Sequence, residues 1–287
     1  MTEYEIIESL YSIDEYSFSF ACYVGNLPKA KWIHSQLESP NEIDSRFIFF
    51  NICAKNQISV AQWFITVYPD VNIYIFHHLI ICILFSNSEF EFAKWIYSLY
   101  TEPLPIEIGN QCFIHACFNN NLQMVQWIYS ICPNIDISYN DEYEFRYACC
   151  NGHIDIAQWI YSVKPTIQMS TYDEEAFIKS CINGHLEVAQ WLYSVHPNVN
   201  ISILNEYAFR YTCYNGFLNI AQWLFSICPT INIHIYDEEV FRISCNNGYL
   251  DIVQWLYNVC PDINVSVCND EPFRNACFSG HLEDRKS

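Results

Sequence analysis

Glycine, proline and long apolar runs are scarce in this sequence, and each shortage excludes a class of protein. The chain has 7 glycines and 11 prolines among 287 residues, whereas linkers and disordered chains are enriched in such residues. Its longest apolar run covers residues 74–85 and contains two histidines, and a membrane-spanning helix needs roughly 20 apolar residues. We therefore expect a folded, soluble chain without a membrane partner.

Positive charge is also in short supply. The 13 lysines and arginines are outnumbered by 32 acidic residues, which gives a formal net charge of −19. Such a surface repels phosphate backbones, so we expect no nucleic-acid partner and favour a protein partner with a basic surface. Residues 1–16 lack the basic and apolar regions of a secretion signal, which predicts a cytoplasmic location.

Tryptophan marks an internal repeat. The eight tryptophans are separated by 31 residues once and by 32 residues six times, and such a period indicates stacked repeats. We predict a capping helix at residues 1–13, followed at 14–287 by eight full repeats and a partial ninth. The last repeat ends at Ser287, where a tryptophan is due, and either a natural end cap or a truncation explains it. The apolar segment 76–85 in the third repeat is either degenerate or a docking patch.

Each repeat is interpreted as two helices and a short connection. Asp173-Glu174 and its equivalents are predicted to open the first helix, because a polar cap and negative charge suit a helix N-terminus. Asn-Gly at 183–184 ends this helix, since glycine tolerates left-handed backbone. The second helix, 186–195, is apolar on two neighbouring stripes and must be covered on two sides. The alternating run at 198–202 is typical of a short extended or hairpin connection.

This unit resembles the ankyrin repeat. The segment 183–189 (NGHLEVA) is similar to the family's turn and second-helix entry, and 271–274 (EPFR) stands where the family places Thr-Pro-Leu-His. The resemblance implies an all-α, ankyrin-type repeat solenoid of helix-turn-helix units with short extended or hairpin connections. It also implies a concave binding surface formed by the inner helices. The tryptophan-bearing, Ile-, Asn- and Tyr-rich version is similar to ankyrin proteins of large DNA viruses of amoebae.

Several patterns suggest chemistry, but their repetition favours structure. His185-x-Glu187 recurs as His281-x-Glu283, and the Cys-x-x-Cys that a zinc deaminase would need is absent from the sequence. Eight of the 15 cysteines share one repeat position, where stacked helices hold them roughly 10 Å apart, too far for disulfides. No nucleophile–base set or phosphate-binding glycine loop is found. We predict no enzyme activity, cofactor or metal, and interpret the cysteines as buried thiols.

Two further predictions concern side-chain packing. The tryptophans lie on an apolar stripe of the second helix and are predicted to belong to the core. Glu142–Arg146 and Glu206–Arg210 are spaced i,i+4, which predicts ion pairs within the first helices. Ile178 replaces the arginine in one repeat, and we expect an uncompensated acidic cluster there.

Positions that differ between repeats indicate the binding surface. Twelve residues before the tryptophan, successive repeats carry tyrosine, lysine and tyrosine, and aromatic anchors ringed by charge are typical of binding hot spots. The predicted protein-binding residues are Tyr147, Asp173, Glu174, Glu175, Lys179 and Tyr211. We predict a monomeric, non-enzymatic scaffold for protein–protein interaction. The alternative is a substrate-recruiting adaptor for an enzyme complex such as a ubiquitin ligase, although residues 1–13 are too short to supply a recruiting helix pair.

Overall fold

The computed structural model describes residues 14–39, 43–69, 71, 89–99, 103–137, 139–168 and 171–266. These residues form 15 helices joined by turns, with no β-strand among them. The predicted all-α fold of helix-turn-helix units is thereby confirmed. The predictions for residues 1–13, 76–85 and 273–287 lie outside the described residues. No helix within the described ranges is long and apolar enough to cross a membrane.

The chain divides into two units, Met1–Asp136 and Ile137–Ser287. The first unit contains seven described helices: α1 Glu15–Tyr23, α2 Leu27–Gln36, α3 Ser45–Ala54, α4 Ile58–Val67, α5 Phe90–Ser98, α6 Ile106–Phe118 and α7 Leu122–Ile131. Within it, α1 packs on α2, α3 on α4 and α6 on α7, and α1 also packs on α3 of the next repeat.

The second unit contains eight helices: α8 Tyr139–Cys150, α9 Ile154–Val163, α10 Thr171–Ile182, α11 Leu186–Val195, α12 Ile203–Tyr214, α13 Leu218–Ile227, α14 Ile235–Asn246 and α15 Leu250–Val259. Each odd-numbered helix packs on the helix before it, and the first helices α8, α10, α12 and α14 pack in succession. Four repeats are therefore stacked through their first helices.

The core of each repeat is built from the same positions. In the repeat of α10 and α11, Phe177 and Cys181 from the first helix meet Val188, Ala189 and Leu192 from the second, and all five are buried. A fully buried side chain of this kind stabilises the fold by about 1.5–3 kcal/mol. The recurrence of these positions every 32 residues is what makes the period visible in the sequence.

Seven of the eight tryptophans are half-buried and Trp32 is exposed, which corrects the prediction that they belong to the core. Trp191 lies with its ring 6.2 Å from that of Phe145 and 5.8 Å from that of Tyr161, both in the preceding repeat. Trp223 and Trp255 have equivalent neighbours. The neighbouring side chain Leu192 occupies the core instead, because the two apolar stripes of the second helix have different partners. The indole covers the contact between two repeats.

The Asn-Gly turn joins each repeat to the one before it. Gly152 has φ +75°, and a Cβ added there would lie 2.5 Å from the ring of His185 in the next repeat. The side-chain amide of Asn183 donates a hydrogen bond to the carbonyl of Cys150, at 2.7 Å. Burial lowers the pKa of His185. His185 is thus a packing residue of the turn, as the sequence predicts.

The first helices begin differently from the prediction. Leu204, Asn205 and Glu206 all have left-handed backbone, with φ of 53°, 57° and 59°, and Asp237 and Glu238 repeat this arrangement. Asn205 and Asp237 are therefore not helix caps. They occupy a conformation that asparagine and aspartate tolerate better than other residues with a side chain.

The left-handed turn also explains the recurrent glutamate. Glu206 is 7% exposed, and its Oε1 accepts a hydrogen bond of 3.4 Å from the backbone N–H of Asn232. Glu238 accepts one of 3.3 Å from the N–H of Asn264 in the same way. These glutamates, predicted to lie in the first turn of the helix, are instead buried and accept hydrogen bonds from the connection that follows the next helix.

Six cysteines of the shared repeat position are buried, as predicted, whereas Cys245 at the same position is half-buried. The six are Cys22, Cys53, Cys117, Cys149, Cys181 and Cys213. Burial raises the pKa of Cys22 to about 12 and raises that of Cys213 further. Because the thiolate is the reactive form, these side chains are chemically inert packing residues.

Candidate protein-interaction site

The first helices of the second unit carry a recurrent bridge between repeats. Arg146 on α8 donates a hydrogen bond of 2.8 Å from Nε to the carboxylate of Glu175 on α10. Its guanidinium carbon lies 4.4 Å from the centre of the Tyr172 ring, and it also bonds the carbonyl of Asp141. The hydroxyl of Tyr172 donates to Asp141, at 2.8 Å, which raises the pKa of the phenol. We call this arrangement a bridged joint.

A second bridged joint connects α12 and α14. Arg210 donates a hydrogen bond of 2.7 Å from Nε to Glu239, and its guanidinium carbon lies 4.8 Å from the ring centre of Tyr236. It also donates to the carbonyl of Asn205, at 3.0 Å, and Asn205 donates to the hydroxyl of Tyr236. The arginines therefore link successive repeats.

The predicted ion pairs within the first helices are wrong for this reason. Glu142 and Glu206 are buried, because the left-handed turn removes them from the helix surface. Arg146 and Arg210 pair instead with the acids that follow 29 residues later, Glu175 and Glu239. A local i,i+4 rule holds only where both residues lie on one regular helix.

The joint between α10 and α12 lacks this bridge. Ile178 occupies the arginine position, Leu204 the tyrosine position and Tyr207 the glutamate position. Ile178 is buried, whereas Leu204 is 55% exposed. We call this arrangement the open joint.

Two clefts lie along the first helices. The larger has a volume of about 370 Å³ and spans the open joint, with Ile178, Lys179, Leu204 and Tyr207 in its wall together with residues of the bridge at α8. The smaller has a volume of about 290 Å³ and is lined by Arg210, Tyr211, Tyr214, Glu239, Val240 and Ile243. Both combine apolar or aromatic side chains with a few charges, which is the composition of protein-binding pockets.

The predicted binding residues fall into three groups. Glu175 and Lys179 line the larger cleft, and Tyr211 lines the smaller one. Tyr147 lies outside the walls of both clefts, with its ring 6.2 Å from Tyr143 and 6.1 Å from His153.

The acidic cluster predicted at the start of α10 is not a continuous exposed acidic patch. Glu174 is 7% exposed, and its carboxylate lies 3.7 Å from Nε2 of His196. A buried carboxylate offers little to a partner, so Glu174 is removed from the candidate site. The side chain of Asp173 lies outside the described residues, and Glu175 is bound to Arg146.

Sequence reasoning missed the residues that give the clefts their shape, chiefly Arg146, Tyr172, Leu204 and Tyr207. One signal for them was visible, because Ile178 interrupts a position that is arginine in the other repeats from residue 146 onward. The loss of the bridge that results from this change was not visible, since the residues that pair with that position lie about one repeat further along the chain. Variation at one position gains meaning only when the facing position is known.

The reactive group nearest to the larger cleft is a poor nucleophile. Cys150 at the end of α8 has its pKa raised to about 11 by burial and by Glu175. The thiol is thus protonated at neutral pH. Its surroundings suit recognition of another molecule better than covalent chemistry.

Stacked helix-turn-helix repeats with a grooved face of first helices define a helical repeat protein. Residues 113–205 match the family model of ankyrin repeats, in three copies. Over that stretch the chain is similar to ankyrin repeats, which confirms the resemblance of the repeats. Ankyrin repeats are generally protein–protein interaction modules and are typically non-enzymatic. No curated protein matches the chain, and the similarity to viral ankyrin proteins stays a prediction.

Proposed function

We propose that this chain is a non-enzymatic scaffold that binds a partner protein along the first helices of its second unit, with the open joint as the anchor point. The observation that carries the proposal is the exposed Leu204 beside Ile178, in a cleft of about 370 Å³. The two bridged joints have an arginine, a tyrosine and a glutamate at the same positions. A cleft with an exposed apolar side chain, bordered by charged groups, suits a single apolar or aromatic anchor.

The chemistry of the cleft wall and of the whole chain specifies the partner further. Lys179 lines the cleft and can donate hydrogen bonds to a polar group beside the anchor. The net charge of −19 attracts basic residues on either side of that segment. The proposed ligand is therefore a partner segment with one apolar anchor and flanking lysines or arginines.

Selection from a displayed peptide library against the purified chain tests this proposal. We expect enriched peptides to contain an aromatic or large apolar residue flanked by basic residues. Leu204→Arg is expected to weaken their binding about 30-fold, the effect of losing a hot-spot contact, as measured by fluorescence anisotropy. Leu250→Arg is the matched control, because Leu250 is 47% exposed on a second helix away from the clefts.

Two further variants locate the boundary of the surface. Tyr211→Ala is expected to weaken binding because Tyr211 lines the neighbouring cleft, and Tyr147→Ala is expected to have a smaller effect. Equal affinities for the wild type and Leu204→Arg would refute the open joint as the anchor. Recovery of ubiquitin-ligase subunits with the chain from a cell lysate, at wild-type yield for Leu204→Arg, would favour the adaptor role instead.

A further inference from the structure

A histidine, a cysteine and an aspartate meet where two successive connections lie side by side. His234 directly precedes α14, and Cys260 and Asp262 directly follow α15. Sγ of Cys260 lies 3.2 Å from Nε2 of His234 and 3.0 Å from Oδ1 of Asp262. Nε2 of His234 lies 3.7 Å from Oδ2 of Asp262. The thiol and the imidazole thus lie 3.2 Å apart, and each is within 3.7 Å of one of the two oxygens of the same carboxylate.

These separations fit a single zinc ion. Zinc binds sulfur at about 2.3 Å and nitrogen or oxygen at about 2.0–2.2 Å, in tetrahedral geometry, so neighbouring donor atoms lie about 3.3–3.6 Å apart. The observed separations of the three groups, 3.0 to 3.7 Å, are close to these values. A mixed set of thiolate, imidazole and carboxylate favours zinc over the oxygen-seeking ions magnesium and calcium.

The other nitrogen of the imidazole is held by a buried acid. Nδ1 of His234 lies 2.7 Å from Oε1 of Glu238, and Glu238 is 7% exposed. The same Oε1 accepts a hydrogen bond from the backbone of Asn264, which fixes the carboxylate. In the neutral imidazole, a carboxylate that accepts the hydrogen bond of one ring nitrogen fixes the tautomer in which the other nitrogen can bind a metal, which is a recurrent feature of zinc sites.

We propose that Nε2 of His234, Sγ of Cys260 and a carboxylate oxygen of Asp262 bind a zinc ion, with Glu238 as the positioning residue and water in the fourth place. Asp262 is exposed and His234 is partly exposed, so an ion reaches the site from solvent.

The preceding repeat shows that this cluster is not part of the common scaffold. Ser202, Cys228 and Thr230 occupy the equivalent places, and Sγ of Cys228 lies 4.0 Å from the serine hydroxyl and 3.4 Å from the threonine hydroxyl. The backbone arrangement is shared, but hydroxyls replace the imidazole and the carboxylate. Neutral hydroxyls are poor zinc ligands, so we expect no zinc binding in the preceding repeat. That repeat therefore serves as a control within the same chain for the proposed zinc site.

Cobalt(II) titration of the reduced, full-length chain tests the proposal. We expect one tightly bound ion that gives a thiolate-to-cobalt charge-transfer band and is displaced by zinc. Cys260→Ser is expected to abolish the band, while Cys228→Ser keeps it. Glu238→Gln is expected to weaken binding about 10- to 100-fold, the usual cost of losing a partner of a metal-bound histidine.

A gain-of-site variant separates metal binding from a loss of folding. Ser202→His combined with Thr230→Asp copies the ligand set around Cys228, where Glu206 already stands in the place of Glu238. We expect this variant to bind two cobalt ions per chain. The proposal is overturned if the wild type gives no thiolate band, if Cys260→Ser keeps the band, or if Cys228→Ser loses it equally. It is also overturned if the doubly substituted chain binds no second ion.

Discussion

The open joint and the bridged joint after it use the same backbone for different purposes. At the bridged joint, Arg210 binds Glu239 and stacks on the Tyr236 ring, so the two first helices are linked by charged and aromatic side chains. At the open joint, Ile178 cannot make these bonds, and Leu204 is left 55% exposed. The sequence departs from its own repeat at the larger of the two clefts.

This difference shows how a repeat protein acquires specificity. The core positions are nearly identical in both repeats, so stacking continues through the open joint without interruption. The facing residues of the first helices are free to change because they do not support the core. A binding site can thus arise from three substitutions at one joint while the stability of the array is provided by other residues.

The largest effect is expected at the turn that both kinds of joint share. Gly184 has φ +88° and faces the Phe217 ring, and Gly216 has φ +82° and faces the Tyr249 ring. Alanine at either place meets left-handed strain of about 1–2 kcal/mol and overpacking of about 1–3 kcal/mol. Gly184→Ala and Gly216→Ala should therefore each lower the free energy of unfolding by about 2–5 kcal/mol in urea denaturation.

The two glycine variants compare the joints directly. The two variants are compared by their losses in unfolding free energy. Losses that agree within about 0.5 kcal/mol, the usual scatter between independent sites, would show that the two joints differ only at their first helices. A much smaller cost at Gly184 would contradict this, since it would mean that the turn at the open joint is also loosely packed.

The next largest effect is expected at the arginine. Arg210→Met keeps the volume of the side chain but removes its hydrogen bonds to Glu239 and to the carbonyl of Asn205. We expect a loss of about 2 kcal/mol, because a hydrogen bond to a charged group is worth about 1.5–3 kcal/mol. Thermal or urea unfolding followed by circular dichroism measures it.

The control for this variant is Arg46→Met in the first unit. Arg46 and Asp44 are more than half exposed and 3.4 Å apart, and an exposed ion pair contributes about 0–1 kcal/mol. Equal losses at Arg46 and Arg210 would show that the bridge contributes no more than an ordinary surface pair.

Much of this arrangement was predictable from the period alone. The second helix expected at residues 186–195 is observed as α11, Leu186–Val195, and the position of Lys179 pointed to the larger cleft. The bridge was not predictable, because Arg146 and Glu175 are 29 residues apart and lie on different helices. The i,i+4 spacing rule applies only to side chains of one helix. The left-handed turn was also missed, since no glycine marks it at Leu204 to Glu206.

A smaller effect is expected from rebuilding the bridge at the open joint. The triple variant Ile178→Arg, Leu204→Tyr, Tyr207→Glu copies the residues of the bridged joint after it. We expect the free energy of unfolding to rise by about 1 kcal/mol through the added charge-assisted hydrogen bonds. Peptide binding at the open joint should be lost, because the exposed Leu204 and its apolar neighbour Ile178 are replaced by polar and charged side chains. Retained affinity together with raised stability would place the binding surface elsewhere.

The smallest effect concerns pH at the turn between α10 and α11. Burial lowers the pKa of His185 in the folded chain, so below about pH 6.5, the ordinary value for histidine, the unfolded chain binds a proton that the folded chain does not. Stability attributable to His185 is complete above that pH and is lost as the pH falls toward the folded pKa.

His185→Phe removes this dependence while keeping a ring against Gly152. Phenylalanine already serves the equivalent place as Phe217, so the variant should fold normally. The difference in unfolding free energy between wild type and variant is expected to grow as the pH is lowered from about 7 to about 5. A difference that stays constant over this range would show that His185 titrates normally in the folded chain.

The half-buried tryptophans make the array a series of optical reporters. Trp191, Trp223 and Trp255 each rest against aromatic rings of the layer before them, so the emission of an indole changes when that particular layer separates. A chain that keeps one tryptophan at a time, with phenylalanine elsewhere, would reveal whether fraying starts at an end or in the middle. The order in which the repeats separate can thus be followed by the fluorescence emission of the single tryptophan.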